Sequence, residues 1–311
     1  MRREIGFIIP NYLGEKRVAI LPEDIIDFKD KLYIEKDFGK NLSIKDEEYQ
    51  KKGCIILSRR EIFKKCKVIF SLKLIQENDY EFLQNDSIII GWTHPTGSGR
   101  EFMKIAKEKN ITVIDLDNIY PAIYKDNNVF YLEKKLKKNF IRKNSELAGV
   151  ASCYHALLSY GLLPNSSTNV AILSIGNVAQ GAFQVFSKFG CNIRVFTRTT
   201  LIEFKEQIEK FDIIVNGIEI GKNDERIITL EEQKKIKKGC LIIDSAADGD
   251  GAIEGTKYTT INNPIYEKEG KFYYVVNNAP SIFYREASKE ISKSLSENIF
   301  KKGIDYLLEE M

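Results

Sequence analysis

Histidine is scarce in this chain, with 2 among 311 residues, and no clustered Cys/His spacing accompanies His94 or His155. No zinc site is therefore expected. The 5 cysteines, Cys54, Cys66, Cys153, Cys191 and Cys240, are odd in number and form no C-x-x-C pair, which points to reduced thiols in the cytoplasm. Charge of one sign is not in excess either. With 47 Lys+Arg against 44 Asp+Glu the formal net charge is +3, so neither a nucleic-acid footprint nor a membrane-surface bias is expected. There is no apolar run of membrane-spanning length, no solenoid repeat and no low-complexity tract. The apolar run after Arg2 and Arg3 is cut by Pro10 and Gly14 before it could act as a signal peptide.

What remains is the composition of a soluble globular protein, 43% hydrophobic and 29% charged. Its length suits two domains of roughly 100 to 200 residues each. Residues 169–199 read as strand, glycine turn, helix, strand. Residues 170–173 are an apolar strand, and Ala182, Phe183, Val185, Phe186 and Phe189 give the helix one apolar face before Gly190 closes it. Between them, Ser174-Ile175-Gly176-Asn177-Val178-Ala179 matches the dinucleotide fingerprint G-x-G-x-x-G/A at its second and third anchors, with serine at the first. Gly176 lets backbone N–H groups at the helix N-terminus approach a pyrophosphate closely. At the end of the second strand, where NAD-binding folds place a carboxylate, stand Thr197 and Arg198. A hydroxyl beside a guanidinium suits a 2′-phosphate, so the expected cofactor is NADP(H). An ordinary βα turn and a solvated arginine would explain the same residues singly; the strand-turn-helix-strand context favours the nucleotide.

Before this motif, apolar segments at 4–9, 32–35, 68–72, 87–91 and 111–116 alternate with longer amphipathic stretches such as 23–29 and 100–109, the pattern of an α/β domain with a largely parallel sheet. The basic run 133–143 reads as a solvated linker face, and 126–144 reads as a boundary. Residues 145–160 form a connecting helix with Leu147, Val150, Ala151, Tyr154, Leu157 and Leu158 on one face, stopped by Gly161; His155 on it reads as a satisfied flank histidine. Strands at 212–216, 241–244 and 272–276 complete a second doubly wound sheet. The stripe Ile291, Leu295, Ile299 makes 285–308 one long helix returning to the first domain. The expected fold is thus α/β with two Rossmann-like domains: a substrate domain over 1–140 completed by 283–311, and an inserted NADP-binding domain over 145–282 that includes the helix 145–161.

Ligands of doubly wound sheets lie outside the carboxyl ends of strands, which singles out four polar residues placed just after apolar runs. Arg17 offers a guanidinium fork, Lys73 an ammonium, His94 an imidazole that titrates near neutrality and Asp248 a carboxylate. Together they suit reduction of a carbonyl or imine beside a carboxylate. Each alone could be a surface charge, a loop histidine or a turn aspartate.

These residues, in the setting Glu15-x-Arg17-Val18-Ala19, Lys73, His94 and Asp244-x-Ala246-x-Asp248, occur in the order seen in the alanine dehydrogenase and saccharopine dehydrogenase group. More closely, the chain resembles the carboxyethylornithine synthase family of NADP-dependent opine-type reductases, through FSLKLIQ (70–76), IIIGWTHP (88–95), GNVAQGAF (176–183), DIIVNGIEIGK (212–222), YYVVNN (273–278) and LSENIF (295–300). The resemblance implies a nucleotide domain inserted in a substrate domain, a homo-oligomer with a tetramer among its forms, and reductive condensation of pyruvate with the side-chain amine of ornithine or lysine. It implies that Arg17 and Lys73 hold the pyruvate carboxylate and keto oxygen and that His94 donates a proton. It also implies that the backbone of Leu173, Ser174, Ile175, Gly176, Asn177 and Val178 binds the NADPH pyrophosphate, that Arg198 binds its 2′-phosphate, and that Asp248 and Asn278 line the nicotinamide side. Reductive amination of pyruvate by ammonia, or NADPH binding without catalysis, are the alternatives.

Overall fold

The structure is a computed structural model that describes residues 3–116, 120–137, 139–221, 224–246 and 251–311. It divides into two compact units, one made of Met1–Ile141 with Tyr284–Met311 and the other of Arg142–Phe283.

In the first unit β1 (Glu4–Ile8), β2 (Lys31–Glu35), α1 (Asp46–Gln50), β3 (Ile55–Leu57), α2 (Arg59–Lys65), β4 (Val68–Ser71), β5 (Ile88–Gly91), α3 (Arg100–Glu108), β6 (Thr112–Asp115), β7 (Ala122–Lys125) and β8 (Asn128–Tyr131) follow in order. The strands lie as β3-β2-β1-β4-β5-β6-β7-β8. Pairing is parallel from β3 through β6 and antiparallel for the last two strands. The chain winds outward from β1 to β3 and then restarts on the other side of β1 with β4, so the strand order reverses between β1 and β4.

Successive strand residues point to opposite faces, and each face has its own core. Phe7, Phe70, Ile90 and Ile114 form one with the returning chain end, through Ile291, Leu295, Ile299 and Phe300. Ile69, Ile89 and Val113 form the other with Ile62 and Phe63 of α2 and Phe102 of α3.

The second unit opens with α4 (Arg142–Tyr160), followed by β9 (Asn169–Leu173), α5 (Asn177–Lys188), β10 (Asn192–Phe196), α6 (Leu201–Lys205), β11 (Ile213–Asn216), α7 (Leu230–Lys235), β12 (Leu241–Asp244), β13 (Ile265–Lys268) and β14 (Lys271–Tyr274). Its sheet runs β10-β9-β11-β12-β14-β13, parallel except for β13. Here the order reverses between β9 and β11. Helix α4 crosses α5 at two glycines. A Cβ on Gly149 would lie 1.9 Å from the Val178 carbonyl oxygen, and one on Gly181 would lie 2.0 Å from that of Glu146, so only hydrogen at both places permits the approach. The chain then returns to the first unit as α8 (Tyr284–Leu295) and α9 (Ile304–Leu308).

Both doubly wound sheets agree with the sequence, and several elements differ. The stretch 126–144 is not a plain boundary. It holds β8, paired to β7 through a two-residue turn in which Asp126 (φ 48°) and Asn127 (φ 63°) are both left-handed, as a tight hairpin requires. The strand is an exposed edge of four residues set between the polar turn 126–127 and the basic run 133–143, which hid it. Residues 23–29 do not form a helix; Pro22–Asp24 make one 3-10 turn, and Asp27 at φ 54° stops it going further. The C-terminal helix is not continuous. It passes from α8 into a π-helical turn, Ser296–Phe300, and ends at left-handed Gly303 before α9. Two helix faces also differ from the expectation. Leu158 on α4 and Phe183 on α5 are exposed, because the contact is made by small residues: Gly149, Cys153 and Ala156 against Ala182, with Gly181. The strand expected at 272–276 spans Lys271–Tyr274 and leaves Val276 in an isolated bridge to Thr259.

Candidate functional site

In the first unit the registers Ile8↔Ser71, Ser71↔Gly91 and Gly91↔Asp115 align the carboxyl ends of β1, β4, β5 and β6. The segments leaving these ends carry Arg17, Lys73 and His94, and the first two flank the reversal between β1 and β4. Arg17 is buried, not the surface charge it could have been. Its Nε donates to Glu15 Oε1 at 2.8 Å and its Nη2 to Glu15 Oε2 at 2.6 Å, while the Arg17 backbone N–H donates to Oε1 at 2.9 Å. The carboxylate therefore fixes both the fork and its loop. Half-buried Lys73 holds its Nζ 5.4 Å from the ring centre of Tyr12. Burial pushes the Glu15 carboxyl upward, but the guanidinium of Arg17 and then the ammonium of Lys73 outweigh it and hold Glu15 below the usual carboxylate range. Glu15, Arg17 and Lys73 together carry one positive charge in excess, which suits a small carboxylate.

The loop after Arg17 is carried by α8. Val18 N–H donates to Ser288 Oγ at 3.0 Å and Leu21 N–H to Ser292 Oγ at 2.7 Å, and Ser296 Oγ donates to the Asp24 carbonyl at 2.7 Å. These hydroxyls satisfy two loop amides and a loop carbonyl that would otherwise lack partners. The apolar stripe Ile291, Leu295, Ile299 marks the packed face of this helix and not the hydroxyls that hold the loop. The signal was present in the four-residue spacing of Ser288, Ser292 and Ser296.

His94 lies in a loop whose entry is crowded. Gly91, at φ 152°, is where β5 passes β4 so closely that a Cβ would sit 1.7 Å from the Ser71 carbonyl oxygen. His94 itself is left-handed at φ 45°, and its carbonyl accepts from the amides of Gly97 at 3.0 Å and Gly99 at 2.9 Å.

In the second unit the turn after β9 bears the fingerprint. Gly176 caps α5, whose N-terminus has no side-chain cap, and a Cβ at Gly176 would meet only Ser174 Oγ, at 3.3 Å. An open cradle over the first-turn amides of a 12-residue helix fits a pyrophosphate. Not every backbone amide of the turn points outward, however. Ser174 N–H donates to the Phe196 carbonyl at 2.8 Å and Gly176 N–H to Ser174 Oγ at 2.9 Å, which leaves Asn177 and Val178 as the first-turn amides for a phosphate. Leu173 is buried at the strand end and its carbonyl accepts from Gly217 N–H at 2.9 Å; Ile175 is exposed.

At the end of β10, Thr197 Oγ1 lies 2.8 Å from Thr199 Oγ1 and 3.4 Å from Thr200 Oγ1. Exposed Arg198 donates from Nη2 to the Glu219 carbonyl at 2.9 Å and has Nη1 3.8 Å from Asp224 Oδ2. Asn278 is buried, and its Nδ2 donates to Ser281 Oγ at 3.2 Å. Asp248 lies outside the described residues; the neighbouring Asp244 is buried and accepts from Asn216 Nδ2 at 2.9 Å. His155 meets the Tyr274 hydroxyl through Nδ1 at 3.1 Å, and burial lowers its pKa, which is the behaviour of a packed flank histidine.

Both halves of this arrangement have relatives. The alanine dehydrogenase/PNT N-terminal domain matches residues 11–130, and the C-terminal domain of the same description matches 168–305. The chain belongs to the alanine dehydrogenase/PNT family. Within it, the chain is 51% identical over 307 residues to an N(5)-(carboxyethyl)ornithine synthase of Clostridium botulinum, covering 98% of this chain and 96% of that one. It is 53% identical over 306 residues to one of Lactococcus lactis subsp. lactis, covering 98% of each. An L-alanine dehydrogenase structure superposes with a TM-score of 0.77 over 94% of this chain and 88% of its own, at 17% identity. The matched ranges include Arg17, Lys73 and His94 in the first domain and Gly176 in the second. Among the described residues no helix is long and apolar enough to cross a membrane.

Proposed function

We propose that the chain catalyses NADPH-dependent reductive condensation of pyruvate with the side-chain amine of ornithine, giving N(5)-(carboxyethyl)ornithine. The observation that carries this reading is identity of 51% and 53% to two synthases of that name along nearly the whole chain. The geometry supports it. Arg17, its guanidinium oriented by Glu15, binds the pyruvate carboxylate, and Lys73 binds the keto oxygen. The neutral amine adds to the keto carbon and gives up one proton to the former keto oxygen, and His94 donates the second proton with which that oxygen leaves as water, giving a protonated imine beside a carboxylate. When bound, the nicotinamide supplies the hydride that reduces this imine carbon.

The amides of Asn177 and Val178 and the opening at Gly176 hold the pyrophosphate. Arg198, with the hydroxyls beside it, holds the 2′-phosphate, which makes NADPH rather than NADH the cofactor. Orienting both reactants supplies much of the advantage over solution, so an amine that can bind remotely through its α-carboxylate and α-ammonium should far outrun ammonia. The test is NADPH oxidation with pyruvate and a panel of amines. Rates should fall from ornithine to lysine, with little turnover for 2,4-diaminobutyrate or ammonia. Alanine formed from ammonia as fast as the ornithine product would instead assign reductive amination, and NADPH binding without oxidation would assign a binding protein.

A further inference from the structure

Asp115 ends β6 with its carboxylate fully buried, directly across the sheet from Gly91. A carboxylate taken out of water needs hydrogen bonds to offset the loss of hydration. Two come from one residue: Thr93 donates both its backbone N–H and its Oγ1 hydroxyl to Asp115 Oδ1, each at 2.8 Å. Thr93 is itself buried and immediately precedes His94.

On the other side of the histidine, the amides of Gly97 and Gly99 converge on the His94 carbonyl. Gly99 also packs against the loop so tightly that a Cβ there would lie 2.0 Å from the Thr93 carbonyl oxygen. His94 is thus fastened before and behind while holding a left-handed backbone. For a non-glycine residue such a conformation is strained and persists only where the surroundings over-determine it. Threonine is suited to this place because it offers two donors, amide and hydroxyl, that can meet one acceptor atom. An aliphatic residue of the same shape would offer one.

We propose that Asp115 is a positioning residue for the reaction: acting through Thr93, it fixes the backbone conformation that sets the direction of the His94 imidazole. The proposal rests on the reading of His94 as the proton donor. A donor misplaced by about 1 Å can cost on the order of a hundredfold in rate, whereas the groups that bind pyruvate and cofactor stand on other loops. Losing the clamp should therefore appear in kcat and not in KM.

The experiment compares full-length wild type with Thr93→Val, Thr93→Ser, Asp115→Ala, Asp115→Asn and His94→Asn. Steady-state kinetics and the imidazole carbon–proton signals of ¹³C-histidine-labelled protein are read together. With 2 histidines in the chain, the signal lost in His94→Asn assigns the other to His155. Thr93→Val and Asp115→Ala should lower kcat about ten- to a hundredfold with KM for pyruvate and NADPH within about twofold. Both should shift or split the His94 signal and leave that of His155 in place. Thr93→Ser and Asp115→Asn, which keep a donor and an acceptor at these atoms, should restore most of both readouts.

Thr93→Val with kcat within about twofold of wild type, or with a loss of turnover but an unmoved His94 signal, overturns the proposal. Equal movement of both histidine signals does so too, since it marks a general loosening. Should Asp115→Ala fail to fold, the Thr93 pair carries the decision. If wild type turns over no amine at all, the reading of function falls, and the His94 signal in Thr93→Val still decides the clamp.

Discussion

Ser174 Oγ accepts the Gly176 amide proton at 2.9 Å from a residue whose own backbone stands at φ 126°. That region favours glycine, so the serine keeps a strained conformation worth about 1–3 kcal/mol and occupies an amide that the fingerprint otherwise turns toward phosphate. Ser174→Gly should raise the melting temperature and, by releasing the Gly176 amide, tighten the dinucleotide about two- to tenfold. Ser174→Ala keeps the strain without the bond and should be less stable than either. Thermal melts and cofactor titration check both. Weaker binding in Ser174→Gly than in Ser174→Ala would contradict this view of the hydroxyl.

Gly149 and Gly181 set the distance between α4 and the fingerprint helix α5. Since a Cβ on either would lie about 2 Å from a backbone carbonyl oxygen, alanine must force the helices apart. Overpacking of this kind costs about 1–3 kcal/mol, occasionally more. Gly149→Ala and Gly181→Ala should each lower stability by at least that much and weaken cofactor binding, while Gly161→Ala, where a Cβ meets nothing within 4 Å but φ is 75°, should show a smaller loss confined to stability. Denaturant unfolding of the three variants, with cofactor titration beside it, is the check.

The parts of this molecule legible in its sequence are those set by period and by strand ends. Buried strands such as Val68–Ser71 and Ile88–Gly91 announce themselves as apolar runs, and a polar residue just past such a run falls at a carboxyl end, which is how Arg17, Lys73 and His94 emerged. Contacts made by small or hydroxyl residues were not legible. The serines of α8 look polar and exposed until the Val18–Asp24 segment is laid on them, and the α4–α5 contact runs through glycine where a hydrophobic stripe was sought. Nor does sequence show that Thr93 and Asp115, 22 positions apart, share one oxygen, because that follows from strand register.

Glu15 gives the stability of the fold a pH signature when its partner is removed. In wild type its carboxyl titrates below the ordinary range, so the stability it contributes is present above the unfolded-state pKa and is lost only as pH falls through the lower folded value. In Arg17→Met, burial would dominate and raise the folded pKa above the unfolded one. The sign then reverses: the carboxyl destabilises the fold as pH rises. Removing one partner of a buried pair costs about 3–5 kcal/mol, so Arg17→Met should be much less stable than wild type near pH 7, with the deficit shrinking toward about pH 5. Chemical denaturation across that range tests it; a deficit independent of pH would contradict the assignment.

Arg198 and Asp224 make opposite demands on a 2′-phosphate. Arg198→Ala should weaken NADPH about ten- to a hundredfold and leave NADH nearly unchanged. Asp224→Asn removes a negative charge 3.8 Å from the guanidinium and should tighten NADPH by a few-fold at low salt, an effect that fades as salt screens it. Parallel titrations with the two cofactors decide the matter, and equal losses for both in Arg198→Ala would remove the basis for NADPH.

The central claim is that hydride reaches an imine made from pyruvate and a diamino acid. The most direct test supplies NADPH deuterated at both C4 positions with pyruvate and ornithine and reads the product by mass spectrometry. The expected result is N(5)-(carboxyethyl)ornithine carrying a single deuterium on the carbon that was the keto carbon of pyruvate. Label in alanine or lactate, or NADPH left unoxidised, would contradict the account.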